Sequence, residues 1–200
     1  MFIVRIWEGL GNQMFQYAYA RELQRRTGEK VYLEGRRIYK DVLPEEDKFI
    51  ERKCGLKNFN LNMKFIQPQY LSKWNYLEQK TIFQKMQFFL ANKGIGNYLF
   101  ITDHENKYSF HEELLCLNKN AYIMGHFLNR KYIEPLRNEL IHEFTPKYKL
   151  NIPEDLKEIL AEYCTVSVHI RRGDYLYAPC AQAINKQIKR EHYYERAINY

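Results

Sequence analysis

A strand, a glycine turn, a helix, a second glycine and another strand open this chain, and that order leaves few folds open to it. Phe2-Ile3-Val4-Arg5-Ile6-Trp7 is a mainly apolar run with β-branched residues, the pattern of a strand. Gly9 and Gly11 supply the turn. Met14 to Arg26 then reads as a helix, with Phe15, Ala18, Tyr19 and Leu23 near one face. Gly28 stands where that helix should end, and Val31-Tyr32-Leu33 follows as a second strand. A helix between two strands lets them run side by side in one direction, so the chain begins as an α/β parallel sheet.

Downstream the spacing is less regular. Trp74 to Leu90 is expected as an amphipathic helical region through Leu77, Ile82, Phe83, Met86, Phe89 and Leu90. Lys73, Lys80, Lys85 and Lys93 would give it a solvated basic face, and contact with a membrane surface is the other reading. Lys93-Gly94-Ile95-Gly96-Asn97 breaks the region. Ala121 to Phe127 reads as a strand running into a loop. Tyr132 to Phe144 reads as a helix with Ile133, Leu136, Leu140 and Ile141 turned inward. Thr145-Pro146 through Pro153 looks like a connection, which divides the chain into units at 1–150 and 151–200. Pro153 suits a first helical turn, Glu154 and Asp155 suit its dipole, and the helix should run to about Tyr163. A buried strand from Thr165 to Ile170 is expected next, opened by Cys164 as a small buried thiol. Glu191 to Tyr200 reads as an amphipathic helix without a cap. A parallel sheet begun at Val166 needs further strands, so the expectation is a C-terminally truncated chain whose second unit is incomplete.

Composition narrows the partners. Hydrophobic residues make up 46%, enough for a packed core. The formal charge of +7 favours anionic partners. No nucleic-acid signature accompanies it, so nucleic acid is not expected as a partner. The four cysteines, Cys54, Cys116, Cys164 and Cys180, form no CxxC pair, which argues against a zinc or redox site. Met1 leads directly into a strand with no signal-peptide pattern, and no apolar run approaches a bilayer span. The expected location is cytoplasmic, with peripheral contact at the membrane face as an open reading.

Two polar clusters carry the candidate chemistry. Cys164-Thr-Val-Ser-Val-His-Ile-Arg-Arg-Gly-Asp-Tyr175 ends a β-branched run in His169, Arg171, Arg172, Gly173 and Asp174. Guanidinium forks grip phosphate oxygens and stay charged at any working pH, so this pair can neutralise a diphosphate without a metal. The chain has no Asp-x-Asp pair for a metal route. Strand alternation sends His169 and Arg171 out together, which favours Arg171 as the phosphate ligand. Arg172 can instead pair with Asp174, and an Arg–Asp brace at a strand end explains the same spacing. His169 reads as a donor ligand or as a structural histidine, Asp174 as an arginine partner or a cap, and Gly173 as a point of close backbone approach.

The second cluster is Trp7-Glu-Gly-Leu-Gly-Asn-Gln-Met-Phe15. Gly9-x-Gly11 after a strand resembles half of a dinucleotide fingerprint, but Met14 stands where the third glycine belongs, and NAD or FAD is a weak reading. Asn12 suits a helix N-cap, yet Asn12 and Gln13 would also sit at the carboxyl edge of the first strand, where open α/β sheets bind ligands. Glu8 lies there too, either as a general base for a sugar hydroxyl or as a solvated turn residue. The two clusters together suggest a nucleotide-sugar site.

Gly9-Leu-Gly-Asn-Gln-Met-Phe-Gln-Tyr-Ala18 followed by His169-Ile-Arg-Arg-Gly-Asp-Tyr175 resembles the α-1,2-fucosyltransferase family, glycosyltransferase family 11. Tyr122-Ile-Met-Gly-His-Phe-Leu-Asn-Arg-Lys-Tyr132 is loosely similar to a third stretch of that family. The resemblance implies an α/β fold of GT-B-like type, with a Rossmann-like acceptor-side unit and the start of a second, GDP-sugar-binding unit. It implies GDP-fucose as donor, no resident cofactor, no required metal, and inverting transfer to the 2-hydroxyl of a galactose-containing glycan. It assigns the donor diphosphate to Arg171, with His169, Arg172, Gly173 and Asp174 around it, and the donor side of the first loop to Gly11, Asn12 and Gln13. The catalytic candidates are Arg171, Asn12 and Glu8. The chain departs from the family where Glu8 replaces a common glycine, and it lacks the later tryptophan-rich motif, since its two tryptophans are Trp7 and Trp74. A non-catalytic nucleotide- or anion-binding module is the competing reading.

Overall fold

The structure is a computed structural model and describes residues 1–35, 54–103, 107–149 and 151–168, together with Arg196. These divide between two units, one holding the described residues up to 149 and the other those from 151 onward.

In the first unit four parallel strands form one sheet: β1 (Phe2–Arg5), β2 (Val31–Glu34), β3 (Tyr98–Thr102) and β4 (Asn120–Met124), in the order β2-β1-β4-β3. Helix α1 (Leu10–Thr27) links β1 to β2, and α2 (Ile82–Asn92) precedes β3. All four residues of β1 are buried because both faces of the sheet are covered. Phe2, Val4 and Ile6 join Tyr17, Tyr19 and Leu23 of α1 in one core. Ile3 belongs to the other, with Trp74, Ala91 of α2 and Tyr122 of β4. Period-two alternation thus splits one short strand between two cores. Burial of each large side chain contributes about 1.5–3 kcal/mol.

The opening strand–helix–strand expectation matches the structure, with small differences. β1 ends at Arg5, and α1 begins at Leu10 rather than Met14. Gly28 ends α1 in the left-handed region, at φ 68°, and its N–H donates to the Gln24 carbonyl at 2.9 Å.

Two expected helices are shorter than the sequence suggested. The Trp74–Leu90 region is a 3-10 run over Pro68–Glu78 followed by α2. A capping box separates them: Thr81 Oγ1 accepts the Gln84 N–H at 3.1 Å, and Gln84 Oε1 accepts the Thr81 N–H at 3.1 Å. The Tyr132–Phe144 region is two 3-10 turns, Arg130–Tyr132 and Glu134–Leu136, before α3 (Arg137–Glu143). Pro135 lacks an N–H and its ring collides with a preceding carbonyl, so the α-helix starts after it. The change of helical phase leaves Leu136 and Leu140 buried but Ile141 55% exposed.

One buried polar network ties α1 to α3. Glu143 of α3 accepts from Arg21 Nε at 3.0 Å and Arg21 Nη2 at 2.8 Å, from Asn62 Nδ2 at 2.9 Å, and from the Tyr17 hydroxyl. The same hydroxyl accepts the Asn62 backbone N–H at 3.1 Å. Burial, then the hydrogen bond to Glu143, pushes the Tyr17 phenol well above its ordinary range.

In the second unit helix α4 (Glu154–Glu162) follows Pro153, with Glu154 and Asp155 in its first turn. Residues 165–168 do not form the expected strand, and Cys164 is exposed rather than buried. No neighbouring strand pairs with them among the described residues, and Val166 and Val168 are exposed with the thiol. His169, Arg171, Arg172, Gly173 and Asp174 lie outside the described residues, as does the expected helix over 191–200 apart from Arg196.

Candidate functional site

The strand order places a switch point between β1 and β4. From β1 the chain crosses to β2 on one side, while β4 and β3 lie on the other. Connections leaving in opposite directions part at the carboxyl ends of the strands, where open α/β sheets bind ligands. Three chain segments bring polar groups to this edge: Trp7 and Glu8 after β1, Asp103 after β3, and Gly125 and His126 after β4.

His126 is the centre of the group. Its Nε2 lies 3.2 Å from Glu8 Oε2, and its Nδ1 lies 3.8 Å from Asp103 Oδ1. The Asp103 Oδ2 atom accepts backbone N–H bonds from His126 at 2.6 Å and Phe127 at 2.8 Å. Asp103 therefore fixes both the loop and the ring it carries. A Cβ at Gly125 would come 2.6 Å from Asp103 Cγ and from the Phe127 ring, so only glycine lets the strand end approach this carboxylate. The indole of Trp7 lies 4.7 Å from the His126 ring, and its Nε1 donates to the Gly125 carbonyl at 3.3 Å.

The carboxylates raise the His126 pKa from its ordinary value to about 9, with Asp103 the larger influence and Glu8 the second. Burial pushes the Asp103 carboxyl up, but hydrogen bonds from His126 and the Phe127 and His126 amides outweigh it, and its pKa falls below the usual value. At neutral pH the site holds an imidazolium between two acidic side chains. Because the folded pKa exceeds the unfolded one, His126 contributes stability that is fully present below about pH 6.5 and is lost as pH rises through about 9. Denaturant titrations across that window should show stability falling in the wild type and a flatter profile in His126→Asn.

Glu8 sits in the left-handed region at φ 63°, which turns its side chain back over the start of α1. Its carboxylate accepts from Asn12 Nδ2, and its side chain keeps 27% of its surface exposed. Asn12 is not the N-cap of α1. Gly9 holds that position without a side-chain bond, and Asn12 lies one turn in, reaching back to Glu8. Gln13 is buried: its Nε2 donates to the Glu8 carbonyl at 2.7 Å, and its Oε1 accepts the Gly55 N–H at 2.9 Å. Gln13 thus braces the loop from inside. Gly11 is exposed on the first turn of the helix.

The structure therefore joins Glu8 and Asn12, which the sequence proposed as site residues, and Trp7 of the same cluster to His126 and Asp103, which it did not propose. The signal for His126 was a glycine–histidine pair at a strand end, and for Asp103 an acid at the end of a strand that went unrecognised. Chemically the group offers a partly exposed carboxylate held in one orientation from two sides, beside an aromatic face. That combination suits a sugar ring, whose hydroxyls meet the acid and whose C–H face meets the indole. Among the described residues no group of three or more His, Cys, Asp or Glu side chains is arranged to hold a metal ion.

No protein-family model matches the chain, and no solved structure matches it. Among curated proteins it is similar to the O-antigen biosynthesis glycosyltransferase WbnK of Escherichia coli, at 29% identity over 203 residues, covering 96% of this chain and 65% of the relative. It is also similar to an alpha-1,2-colitosyltransferase of Escherichia coli, at 30% identity over 203 residues, covering 99% of this chain and 63% of the relative. The chain spans slightly less than two thirds of the length of either.

Proposed function

We propose that this protein is a glycosyltransferase that moves L-fucose, or a closely related deoxyhexose, from a GDP-linked donor to the 2-hydroxyl of a galactose-type acceptor. The observation that carries the reading is the meeting of Glu8 and Asn12 with His126 and Asp103 at the switch point of a parallel sheet. Two relatives named as glycosyltransferases, one of them for an α-1,2 linkage, support it.

The chemistry follows from the groups available. In an inverting transfer the acceptor oxygen attacks the anomeric carbon from the side opposite the departing diphosphate, and the acceptor proton must go to a base. Glu8 takes that proton, while Asn12 and His126 hold its carboxylate in place. Asp103 positions His126, and Trp7 receives the apolar face of the acceptor ring. The departing GDP needs positive charge, for which Arg171 is the proposed ligand, with Arg172, His169, Gly173 and Asp174 beside it. Under this reading the fold is GT-B-like, its second Rossmann-like unit carries the donor, and the reaction requires no metal.

The test is transfer by the intact protein from GDP-fucose to a β-galactoside, with the linkage read by NMR and chelator present in a parallel reaction. A fucosyl product linked at O2, unaffected by chelation, is the expected result. Transfer from UDP-galactose in place of GDP-fucose would overturn the donor assignment. Guanine-selective binding with no turnover would instead identify a nucleotide-binding module.

A further inference from the structure

Helix α2 faces the wrong way for an ordinary surface helix. Its inner side packs through Phe88, whose ring lies 4.8 Å from Phe100 of β3, and through buried Ala91. The opposite side should then be polar. Instead Ile82, Met86 and Phe89, which share that outer face at helical spacing, are all exposed, and Ile82 is 89% exposed. Phe83 lies beside them and Ile95 just beyond the helix, each more than half exposed. The basic solvated face expected from the sequence is an apolar face with a basic rim.

The charged residues of the helix and of the turns at its two ends are lysines. From Gln79 to Thr102 the chain contains three lysines, Lys80, Lys85 and Lys93, and no Asp or Glu. Lys119 joins them, its ammonium donating to the Gly94 carbonyl at 3.0 Å. No helix of the described residues is long and apolar enough to cross a membrane. An outward apolar stripe with lysines around it has the two features that hold a helix in the plane of a bilayer surface. Aromatic and aliphatic side chains enter the headgroup boundary, and lysine stems lie along them with ammonium groups at lipid phosphates.

We propose that the outer face of α2, with the Gly94–Ile95 turn, docks on an anionic bilayer surface. Charge favours this occupant over a second copy of the chain. A two-fold contact through α2 would set Lys85 and Lys93 against the same residues of the second copy, and α2 itself carries no acid to pair them. A lipid surface rich in phosphate supplies charge opposite to Lys85 and Lys93.

Co-sedimentation of the intact protein with vesicles tests the proposal. Binding is expected to vesicles containing phosphatidylglycerol, weakly if at all to pure phosphatidylcholine, and to fall by roughly tenfold between low and about 0.5 M salt. Phe83→Ser with Phe89→Ser, and separately Lys85→Glu with Lys93→Glu, should each reduce bound protein by roughly tenfold or more while leaving the thermal midpoint unchanged. Equal binding to neutral and anionic vesicles, or no binding to either, would overturn it. A wild-type dimer in light scattering that the serine pair converts to monomer would assign the face to a second copy. A lowered midpoint in the serine pair would show that the protein's own chain covers it.

Discussion

Glu8→Gln should lower the turnover number for sugar transfer by about 10²–10⁴-fold with little change in KM, and with a fall in stability no larger than the loss of its pairing with His126. The substitution keeps the shape of the side chain and an oxygen to accept from Asn12 and His126, but removes the ability to take a proton. Glu8 is partly exposed, and its backbone conformation makes no demand that glutamine cannot meet. Steady-state kinetics with a β-galactoside acceptor gives the answer. Activity within a fewfold of wild type would reduce Glu8 to a brace of the loop. His126 acts through Glu8 and is a positioning residue, so His126→Asn should lose less activity and should also alter the pH profile of turnover. A change in rate with no change in that profile would point to a purely structural histidine.

Glu143→Ala should destabilise the fold by about 3–5 kcal/mol, read as a shift in the denaturant midpoint at constant slope. Glu143 is buried and receives Arg21, Asn62 and the Tyr17 hydroxyl. Its removal leaves a largely buried guanidinium and a buried phenol without their acceptor, and the loss comes from those stranded donors more than from the bonds themselves. Glu143→Gln keeps one acceptor oxygen and should lose less. Tyr17→Phe removes one donor to Glu143 and the acceptor of the Asn62 N–H, and should cost the least of the three because no charge is stranded. If Glu143→Ala matched Tyr17→Phe, the Arg21 guanidinium would be finding water in the variant.

Much of the first unit could be read in the residues because its signals are local. Gly28 ends α1 for a reason contained in its missing Cβ, and β1 and β2 announce themselves through short apolar runs. The errors have equally local causes. Pro135 and the Thr81–Gln84 capping box keep apart turns and helices that hydrophobic spacing alone merges. The reading of Asn12 as a cap failed because α1 begins at Leu10, which puts Gly9 at the cap and Asn12 inside the first turn, where its side chain reaches back to Glu8.

The functional edge was only half legible. Glu8 and Asn12 are neighbours in sequence, and a strand followed by a glycine turn puts them at a carboxyl end by local rules alone. Asp103 and His126 reach the same point through the strand order, which no periodicity encodes. The outward apolar stripe of α2 is similar: its residues are apolar on both sides, so a helical wheel shows two candidate inner faces, and packing of Phe88 on Phe100 selects one.

By itself the amino-acid order determined the parallel α/β opening, the C-terminal end of α1, and the position of Glu8 and Asn12 just past the first strand. Only the tertiary structure decided that β4 and β3 would lie beyond β1, bringing Asp103 and His126 to that acid. The physical reason is range. Caps, turns and alternation act over a few residues, whereas strand order is chosen by burial of both sheet faces at once, a property of the whole packed unit.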